Sequence, residues 1–147
     1  MKRSTDYEHV RNLIDSLHQV RLQMKLFTQR NLREYKVDIT YEMLQVLSLL
    51  WRRGGLNQQE IADSLQKNKA SITPLINNLS SRKLVTRAED PSDRRNKIIS
   101  LTKSGQEFKQ KLEPLYHEFL DRMTKGISLA DFRQATELLQ KIDANLK

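Results

Sequence analysis

Residues 56–101 carry an order of patterns that few folds accommodate: two short helical periods joined by a tight polar turn, then two β-like runs separated by a charged turn. Asn57-Gln58-Gln59-Glu60 followed by Ile61, Ala62 and Leu65 reads as a short helix opened by an Asn cap with Glu three residues later. Asn68 is placed to cap a second helix, in which Ile72, Leu75, Ile76 and Leu79 recur at helical spacing while Lys69, Ser71, Thr73, Asn77 and Asn78 fall on the other face. Leu84-Val85-Thr86-Arg87 and Lys97-Ile98-Ile99-Ser100-Leu101 then have the β-branched and apolar content of short strands. Between them, Asp90-Pro91 starts a turn and Arg94 and Arg95 put two guanidinium groups near its tip.

That order is the order of a winged helix-turn-helix, whose second helix presents its N-terminal residues to base edges in the major groove. Small polar side chains on that helix let the backbone approach the groove, whereas a purely solvating face would more often carry Glu and Lys. A charged hairpin tip alone is ordinary solvated surface. Its place directly after the second helix gives it a nucleic-acid reading. The formal charge of +8 and pI near 9.8 agree with a polyanionic partner, but basic proteins without such a partner are common, so charge is secondary.

The flanking segments are helical in pattern. Val10, Leu13, Ile14, Leu17, Val20, Met24 and Phe27 predict a long amphipathic first helix, and Thr40 caps a helix bearing Met43, Leu44, Val46, Leu47, Leu50 and Trp51 that ends at Gly54-Gly55. Thr102 caps a further long helix with Phe108, Leu112, Leu115, Phe119 and Met123, and after a break near Gly126, Ser128 opens a last one. A winged-helix core of residues 40–101 is too small to cover the apolar stripes of residues 5–35 and 103–146. A two-fold homodimer built from those terminal helices is therefore expected, with a compact monomeric bundle as the alternative. The whole is one domain, residues 5–146, mainly α with a small β-wing.

Leu56-Asn57-Gln58-Gln59-Glu60-Ile61-Ala62, Lys69-Ala70-Ser71-Ile72-Thr73, Leu84-Val85-Thr86-Arg87, Asp90-Pro91-Ser92-Asp93-Arg94-Arg95 and Leu101-Thr102-Lys103-Ser104-Gly105 follow one another in an order that resembles the MarR (multiple-antibiotic-resistance regulator) family of bacterial winged-helix transcription factors. The resemblance implies a homodimeric regulator, a repressor rather than an activator, that binds a pseudo-palindrome in double-stranded DNA. It also implies that Arg95 enters the minor groove while Asp93 braces the hairpin. Two positions depart from the family pattern. Lys83 stands where a helix-ending glycine is common, and Pro74 stands where many members carry a basic residue, which leaves base reading to Ser71, Thr73 and Asn77. The DNA-contacting candidates are Asn57, Gln58, Lys67, Asn68, Lys69, Ser71, Thr73, Pro74, Asn77, Arg82, Arg94, Arg95 and Lys97. The family's small aromatic or anionic effectors bind where dimerisation helices meet the winged helix, a junction at which Phe27, Arg30, Tyr35, Tyr41 and Trp51 fall. Aromatic residues at such a junction are also ordinary core.

Other chemistries find little footing. The absence of cysteine removes thiol catalysis, disulfides and cysteine-based metal or redox sites. His9, His18 and His117 have no metal-ligand spacing, and no Gly-rich phosphate loop appears, so no cofactor, metal or enzymatic activity is expected. Without a signal peptide or membrane-length apolar run, the expected location is cytoplasmic, with no membrane partner. The rival reading is a winged helix used for protein–protein contact. It calls for an apolar outer face on the second helix, which Lys69, Ser71, Thr73 and Asn77 do not supply.

Overall fold

The computed structural model describes residues 2–147, with side chains from Tyr7 onward. Six helices and three short strands follow in the order α1 (Lys2–Glu34), α2 (Tyr41–Arg53), β1 (Leu56–Asn57), α3 (Gln58–Ser64), α4 (Lys69–Ser81), β2 (Val85–Glu89), β3 (Lys97–Leu101), α5 (Lys103–Thr124) and α6 (Leu129–Leu146). The chain divides after Leu115 into two compact units.

In the first unit, side-chain chemistry sets the helix boundaries. Thr40 Oγ1 accepts the Met43 N–H at 3.1 Å to open α2, which Gly54 closes at φ 78° while donating its N–H to the Leu50 carbonyl. Asn57 and Glu60 form a reciprocal capping box at the start of α3, satisfying two backbone donors that a helix end otherwise leaves open. Asn68 caps α4 through the Ser71 N–H at 2.7 Å. At the other end of α4, Lys83 takes φ 60°, so that its N–H reaches the Ser80 carbonyl and the Leu84 N–H reaches Leu79. The chain thus completes a left-handed helix ending without the usual glycine, at a cost of about 1–2 kcal/mol of backbone strain.

The sheet has the order β1-β3-β2 and is antiparallel throughout. The wing strands pair from Val85 opposite Leu101 to Glu89 opposite Lys97. The two-residue β1, absent from the sequence expectation of a simple hairpin, joins the other edge of β3 through Leu56–Ile99 and Asn57–Ile98. That pairing ties the entry of α3 to the wing. Met43, Val46, Leu47 and Leu50 of α2, Ile61 of α3, Ile72, Ile76 and Leu79 of α4, and Ile99 of β3 are all fully buried together, so one core fixes helix-turn-helix and wing as a single body.

Thr102 and Gly105 lock the exit from the wing. Thr102 Oγ1 donates to the Lys83 carbonyl at 2.6 Å and accepts the Gly105 N–H at 3.0 Å. A Cβ on Gly105 would lie 2.0 Å from the Leu84 carbonyl oxygen, so only glycine permits this close approach of backbone to backbone.

In the second unit, Ser128 and Asp131 form another capping box at the start of α6, after a turn in which Gly126 has φ 73°. No residue of α6 is buried, and Leu129, Leu138, Leu139 and Leu146 stand exposed.

Candidate nucleic-acid interface

The outward side of α4 is polar because its apolar positions are used inward: Ile72, Ile76 and Leu79 are buried, while Lys69, Ser71, Thr73, Pro74 and Asn77 are exposed. Lys69, Thr73 and Asn77 are successive i, i+4 neighbours and form one stripe. The helix runs through Pro74 without interruption. Its polar side chains are mostly engaged within the protein. The Thr73 hydroxyl donates to the Lys69 carbonyl at 3.1 Å and accepts from Gln58 Nε2 at 2.8 Å, which couples α3 to α4. Asn77 Oδ1 accepts from Arg87 Nη2 on β2.

Several candidates have structural duties instead of free groups. Asn57 and Asn68 spend their Oδ1 atoms on the helix caps, and the Ser71 hydroxyl donates to Asn68 Oδ1 at 2.8 Å, so its proton is not free for a base. Arg82, expected as a DNA contact, reaches Asp38 Oδ2 at 2.7 Å and Asn78 Oδ1 at 3.2 Å, stapling the end of α4 to the loop before α2. The hydrogen bond and charge of Arg82 hold the Asp38 carboxyl below its ordinary range. Lys67 lies apart from the α4 stripe, in a surface groove of about 340 Å³ that Arg21, Lys25, Tyr41 and Glu42 also line.

The wing tip is built differently. Asp93 Oδ1 accepts the Arg95 N–H at 3.0 Å, and the Asp90 and Asn96 backbones close the turn with Asp90 N–H on the Asn96 carbonyl at 3.0 Å. Asp90 also accepts the Ser92 N–H and hydroxyl at 2.9 and 2.7 Å, and those bonds lower its pKa. With both aspartates satisfied locally, the exposed guanidinium groups of Arg94 and Arg95 enter no ion pair among the described residues. Lys97 is likewise exposed at the base of the tip.

The five effector-site candidates are not assembled into that groove, of which only Tyr41 is a wall. Trp51 is half-buried against the core and its indole donates to the Gly105 carbonyl at 3.0 Å, a tie between α2 and α5. Arg30 and Tyr35 are exposed and Phe27 is half-buried. Nothing in the sequence pattern marks Asp38, and Arg87 appears there only as the end of the strand-like run Leu84-Val85-Thr86-Arg87. Both depend on contacts made after α4 and β2 have packed.

A polar helix stripe fixed beside a braced basic hairpin defines a winged helix-turn-helix DNA-binding protein. Comparison points to similar proteins. A model of the MarR family matches residues 39–97. The chain is 28% identical to the HTH-type transcriptional regulator MhqR of Bacillus subtilis, over 69% of this chain and 70% of that protein. It is 32% identical to the organic hydroperoxide resistance transcriptional regulator of the same species, over 52% of each chain. Among solved structures, the MepR–DNA complex of Staphylococcus aureus superposes with a TM-score of 0.74 and 27% identity, covering 88% of this chain and 94% of that one. The family model and these relatives support a DNA-binding transcriptional regulator similar to those of the MarR family.

Proposed function

We propose that the protein acts as a homodimeric repressor that binds a pseudo-palindromic operator, the wing arginines entering the minor groove while α4 lies in the major groove. The observation that carries this reading is the pair of guanidinium groups, without an ion pair among the described residues, on a hairpin whose backbone is held by its own aspartates. Arg94 and Arg95 are then free to meet the negative potential of a narrow minor groove. Two-fold pairing is supported by the apolar surface left on the terminal helices: Val10, Ile14, Leu17 and Val20 on α1 and Leu129, Leu138 and Leu139 on α6 are all exposed. A second copy covering them would set two α4 helices at half-sites roughly 34–36 Å apart.

The repressor would work in the cytoplasm and release or alter its grip when a small aromatic or anionic effector binds. The groove has suitable chemistry in Arg21 and Lys67 near the Tyr41 ring, while Lys25, 5.5 Å from the ring centre, is already paired with Glu42 at 2.9 Å. The test is selection of bound fragments from a genomic DNA pool, followed by titration over a range of salt. A pseudo-palindrome and a slope of log affinity against log salt several units negative are expected. A flat salt dependence would overturn the phosphate-contacting interface, and a monomer that binds a single half-site would overturn the dimer.

A further inference from the structure

Arg87 lies on β2 two residues beyond the buried Val85, and alternation along a strand turns both side chains to the same face. That face meets α4. There, Arg87 Nη2 donates to Asn77 Oδ1. A guanidinium carries donors and no acceptor, so the Asn77 amide is obliged to present its oxygen to Arg87 and keep its NH₂ group on the other side.

An unrestrained asparagine reads adenine with both ends of its amide, accepting from N6 and donating to N7. Asn77 lacks that option. Its oxygen is occupied, and the cationic partner disfavours a second donor approaching the remaining lone pair. What Asn77 offers outward is a donor alone, suited to the acceptors of the major groove: guanine N7 and O6, thymine O4 and adenine N7. Cytosine presents only its N4 donor there and is rejected. One helical turn away, Thr73 is restricted in the opposite sense, because its proton goes to the Lys69 carbonyl and one lone pair to Gln58, which leaves an acceptor alone.

We infer that Arg87 is a positioning residue for base recognition, orienting the Asn77 amide so that α4 reads a base acceptor at that position and does not require adenine. This rests on the DNA-binding reading proposed above and assigns a chemical preference to one of its contacts.

The experiment is binding-site selection from a randomised duplex pool by the full chain, repeated with Arg87→Ala, Arg87→Lys and Asn77→Ala, followed by titration against duplexes carrying each base at the affected position. Wild type should exclude cytosine there while accepting guanine, thymine or adenine without preferring adenine. Arg87→Ala should free the amide to turn and shift the preference toward adenine by about tenfold, the order of one bidentate contact. Arg87→Lys, which keeps a donor and no acceptor, should retain the wild-type preference, and Asn77→Ala should erase it. If Arg87→Ala selects the wild-type base and only binds every duplex more weakly, Arg87 is a phosphate contact and the inference fails alone. It fails likewise if Arg87→Lys loses the preference as fully as Asn77→Ala, a comparison that stands even where Arg87→Ala does not fold. A wild-type chain that enriches no sequence would instead overturn the DNA-binding reading itself.

Discussion

The outward face of α4 and the tip of the wing are both polar, exposed and basic in setting, yet they are prepared for contact in opposite ways. On α4 the side chains are tied down: Thr73 to Gln58 and Lys69, Asn77 to Arg87, Ser71 to Asn68. In the wing the backbone is tied down, by Asp90 and Asp93, and the arginine side chains are left loose. A face that discriminates among base edges needs its donors and acceptors oriented beforehand, since each misdirected group costs affinity without adding selectivity. A guanidinium seeking a region of negative potential gains more from reach than from a fixed rotamer. The difference therefore separates a region suited to base identity from one suited to groove shape and charge.

The largest effect is expected at the junction both regions share. Gly105→Ala places a methyl 2.0 Å from the Leu84 carbonyl, and backbone on both sides leaves no flexible group to yield. The substitution should destabilise the fold by about 3 kcal/mol or more, measured by urea unfolding, with wing and helix lost together. Survival of either region alone would show that they are not one body.

Removing the brace while sparing the arginines comes next. Asp93→Ala deletes the acceptor of the Arg95 N–H. It should lower operator affinity severalfold, raise hydrogen exchange at the wing tip, and leave base preference at the α4 positions unaltered. Changed base preference would mean that the wing also orients α4.

Acid should act on the braces before it acts on the arginines. Asp38 and Asp90 have pKa values lowered from 3.8, by Arg82 and by Ser92 respectively. A carboxyl depressed in the folded state stabilises the fold above its unfolded value and loses that contribution as pH falls toward the folded one. Backbone shifts of the wing turn and the α4 terminus should hold steady from roughly pH 8 to pH 5 and move only below about pH 4. Both carboxyls lie at the surface, so the effect on stability should be small and should shrink further in salt.

The smallest expected change is at the end of α4. Lys83→Gly relieves a side chain held at φ 60° but adds freedom to the unfolded chain. The net gain should be a few tenths to about 1 kcal/mol, read as a shift in urea midpoint with operator affinity unchanged.

Much of this architecture is legible in the sequence because it is local. Asn57 with Glu60, Asn68, Thr40, Thr102 and Ser128 announce helix starts within a few residues of themselves, and the observed caps use those side chains. The bracing role of Asp93 is implied by the family resemblance and not by its spacing, and its bond reaches the Arg95 N–H. The misses are long-range. The two-residue β1 is too short to show alternation and exists because β3 lies beside it. The diversion of Arg82 to Asp38, across 44 residues, and of the Trp51 indole to Gly105, across 54, could not be read before the fold brought them together. In both cases the side chain is visible in the sequence while its distant partner is not.

The division of labour between wing and helix is tested most directly at Arg95. Wild type and Arg95→Ala should be titrated against operators that share both half-sites and differ only in whether the flanking minor groove is A·T-rich or G·C-rich. Wild type should favour the A·T-rich flank, and Arg95→Ala should lose about 1–3 kcal/mol on that flank, much less on the G·C-rich one, with helical content unchanged. Equal losses on both flanks would contradict that division, leaving Arg95 a structural or general phosphate contact and the wing without a reading role.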